Sequence, residues 1–163
     1  MHLRVEFGTS AIKLLVINDS NSVLAVSNIS LDVSRPHPLW SEQDPDEWWR
    51  ALLKGIEDLK SQTSLSDIKG IGLSGQMHGA VLIDKNGEVL RPAILWNDGR
   101  SGKECLELED AVPNMHQITG NLAMPGFTAP KLLWICKNEP KIFNKIRTVL
   151  LPKDFLRFRL CGE

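Results

Sequence analysis

The 163 residues suffice for one domain with a real core and are too few for two. A hydrophobic content of 42% and a charged content of 24% are those of an ordinary globular protein, and nineteen basic against twenty acidic residues leave a formal net charge of −1, so no chain-wide field advertises nucleic acid or a membrane as partner. The three cysteines, Cys105, Cys136 and Cys161, include no Cys-x-x-Cys pair, which argues against a disulfide framework or a zinc site and suits a reduced cytoplasm. No apolar run approaches the length of a membrane span, and Met1 to Glu6 alternates like a strand rather than a signal peptide.

Leu3, Val5 and Phe7 alternate with Arg4 and Glu6, Gly8-Thr9-Ser10 breaks the pattern, and Ile12 to Ile17 resumes it, so the chain opens on a β-hairpin. Asn18 to Asn21 is a second turn cluster, after which Val23 to Leu31 supplies a third antiparallel strand. Arg35 to Trp40 is irregular, because Pro36 and Pro38 remove donors and bias their predecessors away from helix. Asp44, Pro45 and Glu47 make a helix start, and Trp48, Leu52, Ile56 and Leu59 place one apolar stripe on a helix running to about Lys60. Those four residues read as core.

Ile68 to Ser74 reads as a buried strand that ends in the glycine-bracketed stretch Gly75-Gln76-Met77-His78-Gly79, and Ala80 to Asp84 resumes as strand. Asn86-Gly87 predicts a hairpin turning Val81-Leu82-Ile83 back into Val89-Leu90. After Pro92 the strand Ala93 to Leu95 delivers Trp96-Asn97-Asp98-Gly99-Arg100. Helices are predicted at Gly102 to Leu108, Met115 to Thr119, Thr128 to Asn138, Pro140 to Ile146 and Pro152 to Leu160, with a buried strand at Val149 to Leu151. Asn121 to Phe127 is a loop carrying apolar residues, either substrate cover or packing.

Two strand ends therefore hold the chemistry-bearing side chains, which is where ligand groups collect in α/β sheets. Gln76, Met77 and His78 offer an amide, an adaptable apolar contact and an imidazole; Trp96 offers a flat wall, with Asp98 and Arg100 as polar partners. This set suits a small polyol better than a metal, although Met and Trp serve equally well as core and a lone His is often a satisfied buried side chain. The Gly8-Thr9-Ser10 turn, with Lys13 shortly after, presents backbone N–H groups, hydroxyls and an ammonium to a phosphate, but the same tripeptide occurs in plain turns. Glu6 can hold magnesium directly or through water; it reads equally as a carboxylate on the solvent face of a strand.

The segments Phe7 to Ser10, Ser34 to Pro45, Gly75 to Gly79, Arg91 to Arg100, Thr119 to Asn121 and Leu150 to Asp154, in that order, closely resemble the N-terminal part of bacterial members of the FGGY carbohydrate kinase family that act on xylulose. The resemblance extends over essentially the whole chain. It implies an α/β, ribonuclease-H-like (actin-like ATPase) domain in which three antiparallel strands precede alternating helices and strands. It also implies ATP and magnesium as cofactors, D-xylulose as the small-molecule partner, and transfer of the γ-phosphoryl group to the sugar 5-hydroxyl. By position, Met77 and His78 are the substrate-binding pair, Trp96 packs against the sugar, Asp98 and Arg100 line the same cleft, and Gly8, Thr9 and Lys13 belong to the phosphate-facing hairpin. Related glycerol kinases carry an Arg-Glu pair at Met77-His78, which makes glycerol a poor substrate candidate; other sugar kinases of the family are the alternatives.

Two departures from the family pattern stand out. Where the family reads Gly-Ile-Asp-Leu-Gly-Thr, this chain reads Arg4-Val5-Glu6-Phe7-Gly8-Thr9. Glutamate keeps the charge at the ATP and magnesium position but moves it by about a bond length and a half, and a misplacement near 1 Å can cost roughly a hundredfold in rate. The chain also reaches Cys161-Gly162-Glu163 before the family's proton-accepting aspartate and second domain. The expectation is the N-terminal part of a first kinase domain over residues 1–163, truncated before that domain's end and catalytically incomplete alone. The alternatives are a sugar-binding remnant or one piece of an assembly, with apolar surface left exposed that favours a homo-oligomer.

Overall fold

The computed structural model describes residues 1–162, which divide into two compact units. The first comprises residues 1–33, 45–76 and 152–162, and the second residues 34–44 and 77–151.

In the first unit, strands β1 (His2–Phe7), β2 (Ala11–Ile17) and β3 (Val23–Ser30) form the antiparallel succession expected from their alternation. Strand β5 (Ile71–Gly75) adds to β1 in parallel, giving the sheet order β3-β2-β1-β5. Leu3, Val5, Phe7, Ile12, Leu14 and Val16 are at most 4% exposed, all on one face. Helix α1 (Pro45–Gln62) packs on that face, with Pro45 at its start, acids in its first turn and Lys60 in its last, which suits the helix dipole. Trp48 is fully buried, its ring 4.7 Å from Phe7 and 6.3 Å from Phe155 of helix α6 (Pro152–Cys161). The strand expected to be buried at Ile68 to Ser74 is shorter and exposed. Ile71 is 48% exposed, because β5 is an edge strand and two of its five residues are glycine.

The second unit is built from short strand pairs that periodicity does not reveal. Strand β4 (Glu42–Gln43) pairs antiparallel with β7 (Ala93–Ile94), and β6 (Val81–Ile83) with β8 (Thr148–Leu150). Asn86-Gly87 makes the expected hairpin, with Gly87 at φ 82° and Asp84 Oδ1 accepting from Asn86 N and Glu88 N, but its return leg forms only one bridge, Ile83 to Val89. Helices α2 (Gly102–Ala111), α3 (Met115–Thr119), α4 (Thr128–Asn138) and α5 (Pro140–Phe143) follow; α5 gives way to i→i+3 turns at the residues expected to extend it to Ile146. Leu82, Ile94 and Ile135 form the unit's fully buried apolar cluster, with Leu132, Trp134 and Val149 packed against it. Among the described residues no helix is long and apolar enough to cross a membrane.

Candidate functional site

The glycine-bracketed stretch leaves β5 at the boundary of the first unit. Gly75 has no room for a side chain, since a Cβ there would lie 3.2 Å from Phe7 Cβ, Phe7 O and Lys153 Cβ. Gln76 N donates to Phe7 O at 2.8 Å, and its buried side-chain oxygen accepts from Thr9 Oγ1 at 3.2 Å. The amide that sequence reasoning offered to a ligand thus ties the hairpin turn to the end of β5.

In the second unit Met77 is 55% exposed and His78 half-buried. Gly79 N donates to Met77 O at 2.8 Å, closing a γ-turn on His78, whose φ is 59°. A non-glycine residue in that region costs on the order of 1–3 kcal/mol, so its surroundings must hold it. They do so from helix α4. Thr128 Oγ1 and Lys131 Nζ donate to His78 O at 3.2 and 2.8 Å, and the Phe127 ring lies 4.4 Å from the imidazole at 38°. Burial, and then the charge of Lys131, lower the pKa of His78, so the ring is favoured as the neutral imidazole, one nitrogen donating and the other accepting.

Lys131 is itself fully buried, and Nζ also donates to Gly126 O at 2.7 Å. Burial lowers its pKa to about 7, partly opposed by Asp98. Gly126 lies directly against Trp96: a Cβ there would meet Trp96 O at 2.4 Å, which only glycine avoids. The loop from Asn121 to Phe127 is anchored as well, with Ala123 N donating to Glu109 Oε1 at 2.9 Å and Ser101 Oγ to Pro125 O at 3.1 Å. Leu122 and Met124 nevertheless stay 64% and 53% exposed. A cavity of about 430 Å³ opens beside His78, lined also by Met115, Thr119, Leu122, Phe127 and Thr128.

Trp96, 44% exposed, presents its ring at the end of β7, whereas Asp98 and Arg100 turn inward. Asp98 is 2% exposed; Oδ2 accepts from Ser41 N at 2.6 Å and Arg100 Nη2 at 2.7 Å, and Oδ1 from Arg100 N and Nε at 3.0 and 2.9 Å. The Arg100 side chain is 1% exposed, 2.7 Å from Glu42 Oε1, with Cζ 3.6 Å from the Trp40 ring centre. Arg91 also donates to Glu42 and pairs with Glu139 at 3.0 Å. Asp98 and Arg100, expected beside Trp96 as sugar partners, are engaged in a buried ionic cluster with Ser41 and Glu42, which fixes the turn carrying Trp96.

Back in the first unit, the turn after β1 uses Gly8 N internally, bonded to Ala11 O at 2.9 Å, so that N–H is not offered to a phosphate as the sequence suggested. Ser10 is exposed. Glu6 and Lys13 are exposed and directly opposite each other in the β1–β2 register, with Ser74 beside Glu6 across β5. Arg4, Glu6, Leu15, Gly72 and Ser74 border an open cavity of about 390 Å³ on that face. Among the described residues no group of three His, Cys, Asp or Glu side chains is placed to hold a metal ion.

Sequence reasoning placed Phe127 in a loop of substrate cover or packing and missed Thr128 and Lys131. One signal was present: Lys131 sits four residues before Ile135, on the stripe that α4 buries, and a lysine on a buried stripe needs a partner.

Residues 1–163 match the family described as the FGGY family of carbohydrate kinases, N-terminal domain. Over all 163 residues the chain is 55% identical to a xylulose kinase of Escherichia coli (strain K12) and 54% to one of Klebsiella pneumoniae, covering 34% of each. Its fold is similar to that of a xyloylose kinase from Brucella ovis (TM-score 0.96, 54% identity) and of a xylulose kinase from Rhodospirillum rubrum (TM-score 0.94, 34% identity), with 99% of this chain and 34% of each of those covered. The chain therefore spans about a third of the length of the relatives it matches, and it belongs to the FGGY family of carbohydrate kinases, as their N-terminal domain.

Proposed function

We propose that this chain is the sugar-binding N-terminal portion of a cytoplasmic kinase that transfers the γ-phosphoryl group of ATP to the 5-hydroxyl of D-xylulose. The observation that carries the reading is the 55% identity to a xylulose kinase over the full length of the chain. The rigid, partly exposed turn at Met77 and His78 supports it on physical grounds. A polyol needs donors and acceptors at fixed places, which a neutral imidazole stacked near Phe127, on a backbone carbonyl held by Thr128 and Lys131, provides, and Met77 and Trp96 add apolar contact. Asp98 and Arg100 act behind these contacts, holding the turn that carries Trp96, and Gln76 ties the Thr9 turn to the end of β5.

Phosphoryl transfer rests on positioning, on neutralising the phosphate charge, and on a base that takes the hydroxyl proton. Asp98 cannot be that base, since both its oxygens are engaged inside the protein. As the family resemblance implies, the base is assigned to the part of the kinase beyond residue 163. In the first unit Thr9, Ser10 and Lys13 face the phosphates. The Glu6 carboxylate is compatible with magnesium held through water, an ion that keeps several waters and needs few protein ligands. Glu6 would hold the ion through water, and the ion would supply charge neutralisation there, as Lys13 does at its own ammonium.

Calorimetric titration of the chain with D-xylulose, repeated on His78→Ala and Trp96→Ala, tests the reading. Saturable binding that either substitution abolishes supports it. Absence of binding by a folded chain, together with binding of a different ketose, overturns the choice of substrate.

A further inference from the structure

We propose that Lys131 is a positioning residue for the sugar site, its buried ammonium clamping the His78 carbonyl to the Gly126 carbonyl and so holding the imidazole at the angle the substrate meets. This rests on the reading that Met77 and His78 bind the sugar. The geometry stands without it.

His78 occupies a γ-turn with φ 59°, a conformation its own backbone does not favour. The carbonyl leaving that turn is bonded twice from α4, by Thr128 Oγ1 at 3.2 Å and by Lys131 Nζ at 2.8 Å. Nζ reaches 2.7 Å to Gly126 O, and Gly126 is in backbone contact with Trp96. One fully buried side chain therefore links the loop bearing His78, the loop bearing Phe127 and the turn bearing Trp96. A lysine whose only task was stability would be an expensive choice at 0% exposure, because two neutral carbonyls repay the desolvation of an ammonium poorly. Apolar side chains fill such places at lower cost. What lysine adds is a two-pronged donor of fixed reach.

The charged groups acting on Lys131 are Asp98, which favours its ammonium, and Arg100, which opposes it, while Lys131 in turn disfavours protonation of His78. Replacing Lys131 by methionine keeps the volume and removes both donors and the charge. In Lys131→Met the imidazole resonances of His78, assigned by their loss in His78→Gln, should move out of the Phe127 ring current and titrate at higher pH. D-xylulose affinity should fall by roughly tenfold, the scale of one lost charge-assisted hydrogen bond, and Lys131→Arg should not restore it, its planar fork being too wide for the two carbonyls. A folded Lys131→Met with unchanged His78 resonances and unchanged affinity overturns the proposal. If Lys131→Met does not fold, Thr128→Val, which removes the other donor from a half-buried site, decides in the same way: a moved His78 signal supports the clamp and an unmoved one refutes it. A wild-type chain that binds no D-xylulose, while Lys131→Met still displaces the His78 resonances, sinks the sugar reading and leaves the clamp standing.

Discussion

At the scale of single residues, the second unit contains charges that burial disfavours, and their protonation should be visible in its stability. Lys131 has a folded pKa of about 7 against an ordinary 10.5, so between those values the unfolded chain holds a proton that the folded chain has lost. Stability should rise with pH across that window, by at most about 1.4 kcal/mol per pH unit, and be flat below it as far as Lys131 is concerned. The slope should vanish in Lys131→Met, as read by urea denaturation at pH 7 and pH 9. His78, also shifted down, adds loss of stability as pH falls below its ordinary 6.5. The ionic cluster predicts a further effect. Glu42 pairs with both Arg91 and Arg100, two side chains at most 7% exposed. Glu42→Ala removes one carboxylate from each, leaving Arg91 on Glu139 and Arg100 on Asp98, and should cost about 1–3 kcal/mol. A loss below 1 kcal/mol in denaturant titration would mean that water or rotation of Arg91 compensates.

Elements tell a different story in the two units. Helix α1 is held by shape: Trp48 fills the space between Phe7 and Phe155 with no exposure at all. Trp48→Ala should cost about 3–5 kcal/mol, and the loss of cooperative melting by circular dichroism would show it. In the second unit the short pairs β4–β7 and β6–β8 supply little themselves, and loops fastened by side chains do the remaining work. Gly126→Ala tests one fastening. The added methyl collides with Trp96 O, a backbone atom that cannot swing aside, so the loop must shift and stretch the Lys131 bond. A destabilisation of about 1–3 kcal/mol, as for overpacking, is expected, with a weakened response of Trp96 fluorescence to D-xylulose.

For the whole chain, two expectations follow from what it presents to solvent. A turnover assay with ATP, magnesium and D-xylulose should show no sugar-dependent rate, since Asp98, near Trp96 in the chain, is engaged with Ser41 and Arg100 and the chain spans about a third of its relatives' length; a clear rate would identify an unrecognised base within residues 1–163. The four-stranded sheet also has two edges that differ in protection. At β3, Gln62 covers Val26 by donating to its O at 3.0 Å and accepting from its N at 3.2 Å, which imitates a strand partner. At β5 no further strand pairs among the described residues, and Ile71 is 48% exposed. Exposed edges invite pairing. Sedimentation velocity should therefore show concentration-dependent self-association that Ile71→Lys reduces, and identical behaviour of the two proteins would place the contact elsewhere.

What the sequence determined by itself is whatever depends on neighbours along the chain. Alternation at Leu3, Val5 and Phe7 marked β1, the spacing of Trp48, Leu52 and Leu59 marked α1, and Asn86-Gly87 marked its turn, because side-chain direction repeats with period two in a strand and 3.6 in a helix. The bracketing of Met77 and His78 by glycines was legible for the same reason. Whether a polar group is spent or available was not. Asp98 and Arg100 read as ligand contacts until Ser41, Glu42 and Trp40, some sixty residues earlier in the chain, are seen to enclose them. Lys131 lies inside the helix predicted at Thr128 to Asn138, and its role emerges only from the carbonyls of His78 and Gly126 at its tip. Hydrogen bonds and burial between segments distant in sequence leave no periodic trace, so only the tertiary structure could separate the side chains that face a ligand from those that hold them in place.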